Sequence, residues 1–166
     1  MKPTFTESVE QTAQRIENSS VRQGEQLTQK FMEEQPLVMA YLMAVDNDLL
    51  NEEERELLFF LGTAVWQMMV QSGAPLPQVT EQTIDQFEAA NQRTFEALAG
   101  GSDEDTRTVM EKLLRDYNQP AMLKYVIMAL MESAQEEGIR QDNLGVLMLD
   151  LKTVIDCLDW KVQVGG

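Results

Sequence analysis

The chain contains QPLVMAY at residues 35–41 and QPAMLKY at residues 119–125, so the motif Gln-Pro-x4-Tyr occurs twice. Each tyrosine begins an apolar run, and each run is followed further along by a Leu-x-Thr triplet, at residues 61–63 and 151–153. Signatures that repeat in the same order indicate a duplicated structural unit. We therefore interpret the chain as two related helical units. A chance match within a helix-rich sequence is the alternative that stays open.

Two prolines and one asparagine predict where helices begin. Proline has no N–H, and its φ angle is fixed near the helical value, so it is favoured in the first turn of a helix. Pro36 and Pro120 each precede an apolar stretch and are expected at the first position of a helix. Asn51 followed by Glu54 has the spacing of an N-cap with a capping box. A further helix is therefore expected to begin at residue 51.

Apolar residues recur at helical spacing along most of the chain, and no segment shows the strict alternation of a strand. This pattern predicts an all-α fold of about seven helices, arranged as one bundle or a short helical-repeat solenoid. The segment 51–72 is apolar on almost every side, so it is expected in the core or between two copies of the chain. The expected helices cover residues 6–33 (with a break at 18–20 or at Gly24), 36–47, 51–72, 80–99, 102–117, 120–136 and 142–161.

The boundary between the two units is predicted at the one proline-rich stretch, APLP at residues 74–77. We expect a first helical unit at residues 1–73, a linker at 74–79 and a second helical unit at 80–166. The units are expected to pack as one compact domain. A chain of 166 residues can bury a core without a metal or a disulfide.

The net charge of −15 comes from 28 acidic and 13 basic residues that are spread over the whole chain. Nucleic acids and anionic membranes attract clustered lysine and arginine, so neither is expected as a partner. The first residues have no apolar stretch typical of a signal peptide, and a cytoplasmic location is predicted. An alternative use of the acidity is that of a decoy for a basic or DNA-binding protein.

The chain has no histidine and a single cysteine, Cys157. Without histidine it lacks the most common general base and metal ligand, and also any Ser-His or Cys-His nucleophile pair. Cys157 lies among apolar residues and is expected to be a buried, unreactive thiol. We therefore predict no catalytic residue and no cofactor, and an enzymatic function is not favoured.

Clustered carboxylates provide an alternative. Residues 52–56 contain the Glu-Glu-x-x-Glu spacing found in all-α nucleotide pyrophosphohydrolases, which depend on Mg²⁺. The Glu-x-x-Asp expected downstream is reversed here, from Asp85 to Glu88. A magnesium site formed by Glu53, Glu56, Asp85 and Glu88 is thus an alternative hypothesis. Carboxylates in the first turn of a helix are otherwise expected to face solvent and favour the positive end of the helix dipole.

Methionine is abundant, with eleven residues. Its flexible thioether suits grooves that accept varied apolar partners, although it also fills gaps in helical cores. The residues predicted to bind a partner are Met39, Met43 and Met122 with the repeated tyrosines Tyr41 and Tyr125. The predicted function is a non-enzymatic protein-protein interaction module, such as an adaptor, a regulator or a small chaperone-like protein. Its partner is a protein that the sequence does not identify, or a second copy of the chain.

Overall fold

The computed structural model describes residues 6–73, 75–99, 111 and 113–165. Within these residues all regular secondary structure is helical, which confirms the all-α prediction. The predicted helix at 102–117 falls mostly outside them, although residues 113–116 are helical. The helices are α1 (Thr6–Glu17), α2 (Val21–Glu34), α3 (Pro36–Ala44), α4 (Glu52–Gln71), α5 (Glu81–Ala99), α6 (Pro120–Ser133) and α7 (Leu144–Gly165), and a 3-10 turn at Gln141–Asn143 precedes α7.

Side-chain caps set the beginnings of α2 and α4. The Ser20 hydroxyl accepts a hydrogen bond from the Gln23 backbone, and the Gln23 side chain accepts one from the Ser20 N–H. The first predicted helix is therefore broken at residues 18–20, and Gly24 lies inside α2. Asn51 and Glu54 form the same reciprocal pair at α4, which confirms the predicted capping box.

Helix α3 ends at Ala44, earlier than the predicted residue 47. Asp46 adopts a φ angle of 54°, in the left-handed region that ends a helix. Its carbonyl oxygen accepts hydrogen bonds from the N–H groups of Leu49 and Leu50. The turn that results places the Asp46 carboxyl group near α7.

The two units have matching packing partners. Helix α1 packs on α4 as α5 packs on α7, and α3 packs on α4 as α6 packs on α7. The residues before the two prolines also match: Gln35 has φ and ψ of −134° and 64°, and Gln119 has −123° and 62°. Both glutamine side chains are buried. These parallels support the duplication, which stays a prediction.

Helix α4 occupies the centre and contacts α1, α2, α3, α6 and α7. Trp66 is fully buried and stacks on Phe31, with their ring centroids 4.9 Å apart. A Cβ atom at Gly62 would lie 2.5 Å from the Leu42 side chain, so glycine permits the close approach of α3 and α4. Most apolar side chains of α4 are thus buried within a single chain.

Candidate functional site

A groove with a volume of about 640 Å³ lies between α1, α4 and α6. One wall is a single face of α6, because its lining residues follow one another at three- and four-residue steps. Two large apolar side chains remain accessible there: Phe60 is 39% exposed and Met128 is 53% exposed. The residues lining the groove are Val9, Glu10 and Glu17 on α1, Leu57, Phe60 and Leu61 on α4, and Ala121, Lys124, Tyr125, Met128, Ala129, Glu132 and Ser133 on α6, with Glu136 just after α6.

The edges of this groove are acidic. Glu10 and Glu17 on α1, Glu132 on α6 and Glu136 after it are all exposed. Lys124 is the basic residue among the lining residues. The groove therefore combines an apolar floor with a predominantly negative edge.

The surroundings of Tyr125 in the groove raise its pKa. Its partial burial raises its pKa to about 12, and the negative charges of Glu17 and Glu132 contribute to the same rise. Glu17 belongs to α1 and Glu132 to α6, so carboxylates from two helices act on one phenol. Carboxylates from both sides of the groove therefore lie close enough to this phenol to disfavour its ionisation.

The five residues predicted to bind a partner do not form one surface. Tyr125 lines the groove, whereas Met39 and Met122 are buried in the core. Met43 is exposed but does not line the groove. The Tyr41 hydroxyl donates a hydrogen bond to a buried carboxyl group on α7, at 3.3 Å.

Phe60 and Met128, the two exposed large apolar residues of the groove, were not among the residues predicted to bind a partner. Phe60 belongs to the central helix α4, whose apolar pattern predicts a core position for it as for its neighbours. Met128 follows Tyr125 by three residues, and Glu132 follows Met128 by four, so the three share one face of α6. That spacing was the available signal.

The alternative magnesium site has no support in the geometry. Glu53, Glu56 and Asp85 are exposed, and Glu88 is partly buried. Over the part of the chain that the structure describes, no group of three or more histidine, cysteine, aspartate or glutamate residues could hold a metal ion.

Glu54 contradicts the expectation that the acidic first turn of α4 faces solvent, because its exposed fraction is 0%. The half-exposed Arg140 donates to Oε1 at 2.6 Å through its guanidinium and to Oε2 at 3.0 Å through its backbone N–H. Asn143 and the backbone of Asn51 donate as well. Burial alone would raise the pKa of Glu54, but these hydrogen bonds lower it to about 2. This cluster, which we call the Glu54 cluster, ties the start of α4 to the segment before α7.

A second buried carboxyl group, Asp150 on α7, has few donors. The Tyr41 hydroxyl donates to its Oδ1, while its Oδ2 and the Oδ2 of Asp46 are buried without a donor. The two carboxyl groups lie within hydrogen-bonding reach of each other. Burial raises the pKa of Asp150 to about 9, and Asp46 and Glu88 add to the rise. Asp150 is therefore protonated at neutral pH, and we call the two carboxyl groups the Asp46–Asp150 pair.

A buried polar network lies further along α7. Asn91 on α5 donates to Thr153 and Asp156, each at 3.0 Å, and Lys152 donates to both Asn91 and Asp156. The Tyr117 hydroxyl donates to the second oxygen of Asp156. Because these groups hydrogen-bond to one another inside the fold, the network fixes how α5 packs on α7.

Cys157 lies beside this network and is buried, as predicted. Burial raises its pKa to about 12, and the negative charge of Asp156 acts in the same direction. The thiol is therefore protonated at neutral pH and is a poor nucleophile.

No protein family, no curated protein and no solved structure matches this chain. None of the helices in the described ranges is both long enough and apolar enough to cross a lipid bilayer. Function is therefore inferred from the groove and from the chemistry around it.

Proposed function

We propose that this chain is a non-enzymatic protein-interaction module whose groove between α1, α4 and α6 binds a helical segment of another protein. The exposure of Phe60 and Met128 in a groove of about 640 Å³ is the observation that carries the proposal. Large apolar side chains collected in a concave surface are typical of sites that bind a partner.

The dimensions of the groove favour a helix as the bound element. Its lining face on α6 runs from Ala121 to Ser133, and a rise of about 1.5 Å per residue gives it a length of about 18 Å. A partner helix of about three turns covers this length with apolar residues at i, i+3, i+4 and i+7. The flexible side chain of Met128 can adjust to different apolar side chains.

Methyl NMR of the methionines tests the proposal directly. The probe is a synthetic helical peptide with leucines at i, i+3, i+4 and i+7 and an uncharged glutamine-rich polar face. We expect the Met128 methyl resonance to shift on titration, because that side chain lies in the groove. The Met43 and Met131 methyl groups, which are 57% and 64% exposed outside the groove, serve as internal controls.

Two matched variants complete the test. Met128→Gln removes an apolar contact from the groove, and Met131→Gln makes the same change one turn later on α6 outside it. We expect Met128→Gln to weaken peptide binding about 10-fold and Met131→Gln to change it less than about 2-fold. An unshifted Met128 methyl group, or equal losses in the two variants, would contradict a binding role for the groove.

The magnesium-dependent hydrolase and the acidic decoy stay predictions from the sequence, and no contact among the described residues favours either. Calorimetric titration with Mg²⁺ and nucleotides tests the hydrolase, and heat of binding with turnover would revive it.

A further inference from the structure

We propose that the helix bound in this groove is basic, with lysine or arginine along both edges of its apolar stripe. This inference rests on the proposed function and adds the chemical class of the partner. The observation behind it is charge complementarity: four glutamates and one lysine surround the apolar floor.

The glutamates stand on both sides of the groove. Glu10 and Glu17 are seven residues apart on α1, and Glu132 and Glu136 are four residues apart at the end of α6. At about 1.5 Å per residue, the two positions on α1 are about 10 Å apart along the helix axis. A partner helix therefore meets carboxylates two turns apart along α1 and a second pair beside the end of α6. Basic residues flanking an apolar stripe at these intervals match both edges.

Lys124 favours one orientation of the bound helix. It lies near the beginning of α6, whereas Glu132 lies near its end. A helix whose basic residues stand near Glu132 and whose acidic or neutral residue stands near Lys124 matches these charges in one orientation. The reversed orientation places like charges side by side, which lowers affinity.

Other occupants fit the charges less well. A second copy of the chain has a net charge of −15, and its approach to an acidic edge is opposed by repulsion. An anionic lipid surface meets the same repulsion. A basic helix is attracted from a distance, because opposite charges raise the rate of association.

The test compares helical peptides that share one apolar stripe and differ in their flanking residues. One peptide carries lysines, one carries glutamines and one carries glutamates, and each is measured by fluorescence anisotropy. At about 50 mM salt we expect the affinity of the lysine peptide to exceed that of the glutamine peptide by about 10-fold or more. The glutamate peptide should bind most weakly. At about 500 mM salt the lysine peptide should lose most of this advantage, because exposed charges are screened.

Reversing charges in the groove, with a matched reversal elsewhere, tests whether the preference for the lysine peptide arises at the groove. Glu17→Lys combined with Glu132→Lys should reverse the peptide preference. Asp85→Lys combined with Glu96→Lys makes the same change in net charge on exposed positions of α5, away from the groove, and should preserve the preference. Glu17→Gln with Glu132→Gln provides a milder version that leaves folding less affected and should abolish about half or more of the lysine advantage.

The outcomes separate this inference from the proposed function. If the glutamine peptide binds as tightly as the lysine peptide and shifts the Met128 methyl group, the groove binds helices and the basic partner is wrong. If the α5 control changes the preference as much as the groove variant, the attraction comes from the whole acidic surface and the inference is overturned. If no peptide shifts Met128, the proposed function fails with it.

Discussion

Two buried carboxyl groups, Glu54 and Asp150, differ in ionisation although their exposed fractions are 0% and 2%. Glu54 accepts hydrogen bonds from Arg140, Asn143 and a backbone N–H, and its pKa falls to about 2. Asp150 faces a tyrosine and the Asp46 carboxyl group, and its pKa rises to about 9. Equal burial therefore leaves one group charged and the other protonated at neutral pH.

The difference lies in the number and charge of the donors around each group. Burial penalises the charged form in both places, and only a sufficient set of donors reverses that penalty. The Glu54 cluster supplies a guanidinium, an amide and two backbone N–H groups. The Asp46–Asp150 pair offers a second acid instead. The first cluster is thus expected to lose stability as the pH falls from 4.5 towards 2, and the second as the pH rises from 3.8 towards 9.

Removing the Glu54 carboxylate should have the largest effect. Glu54→Ala leaves the Asn143 amide and the N–H groups of Asn51 and Arg140 without their acceptor, so we expect the free energy of unfolding to fall by about 3 kcal/mol or more. Urea unfolding at pH 7 measures this change. Glu52→Ala, an exposed position in the same helical turn, should cost less than about 1 kcal/mol. Similar losses in the two variants would show that Glu54 acts only through the helix dipole.

The Glu54 cluster should also determine how the free energy of unfolding falls at low pH. The pKa of Glu54 is lowered to about 2 in the folded chain from its usual value of 4.5. Its contribution to stability is therefore complete above its unfolded pKa and is lost as the pH falls towards 2. The wild-type advantage over Glu54→Ala should shrink across that interval, and a constant advantage would contradict the lowered pKa.

Asp150→Asn should raise the free energy of unfolding at alkaline pH, whereas Glu54→Ala lowers it at pH 7. The pKa of Asp150 is raised from 3.8 to about 9 in the folded chain, so its contribution is complete below the unfolded value and is lost as the pH rises towards 9. Asparagine keeps the shape of the protonated acid and does not titrate. We expect the variant to be more stable than wild type at pH 8 by about 3 kcal/mol or more, and nearly equal at pH 4. Urea unfolding at both pH values measures the difference, and a pH-independent difference would contradict the raised pKa of Asp150.

The contrast between these clusters also marks what the sequence could predict. Local signals identified the helices: Pro36, Pro120 and the Asn51–Glu54 capping box are each contained within a few residues. The burial of Glu54 depends on Arg140 and Asn143, which lie 86 and 89 residues away along the chain. No local pattern carries that information.

The buried polar residues of α7 gave only a weak signal in the sequence. Asp150, Thr153, Asp156 and Asp159 recur at three-residue steps and form a polar stripe that winds about half-way round α7, yet all are buried. A charged stripe on a helix normally faces solvent, so its burial follows from partners on other segments, such as Asn91 and Tyr117. Phe60 was missed for a related reason, because it looks like a core residue until the arrangement of its neighbouring helices is known.

Tyr41→Phe should have the smallest effect and shows how strongly the Asp46–Asp150 pair depends on its tyrosine. The change removes the hydrogen bond from the Tyr41 hydroxyl to Asp150 and should lower the free energy of unfolding at pH 5 by about 1 kcal/mol. Tyr125→Phe, at the repeated position in the groove, is the matched control and should cost less than about 0.5 kcal/mol. In a double-mutant cycle with Asp150→Asn, the loss caused by Tyr41→Phe should persist, because the amide oxygen of the introduced asparagine still accepts the bond. If the loss disappears in the Asp150→Asn background, the contribution of the tyrosine instead depends on the carboxyl group of Asp150.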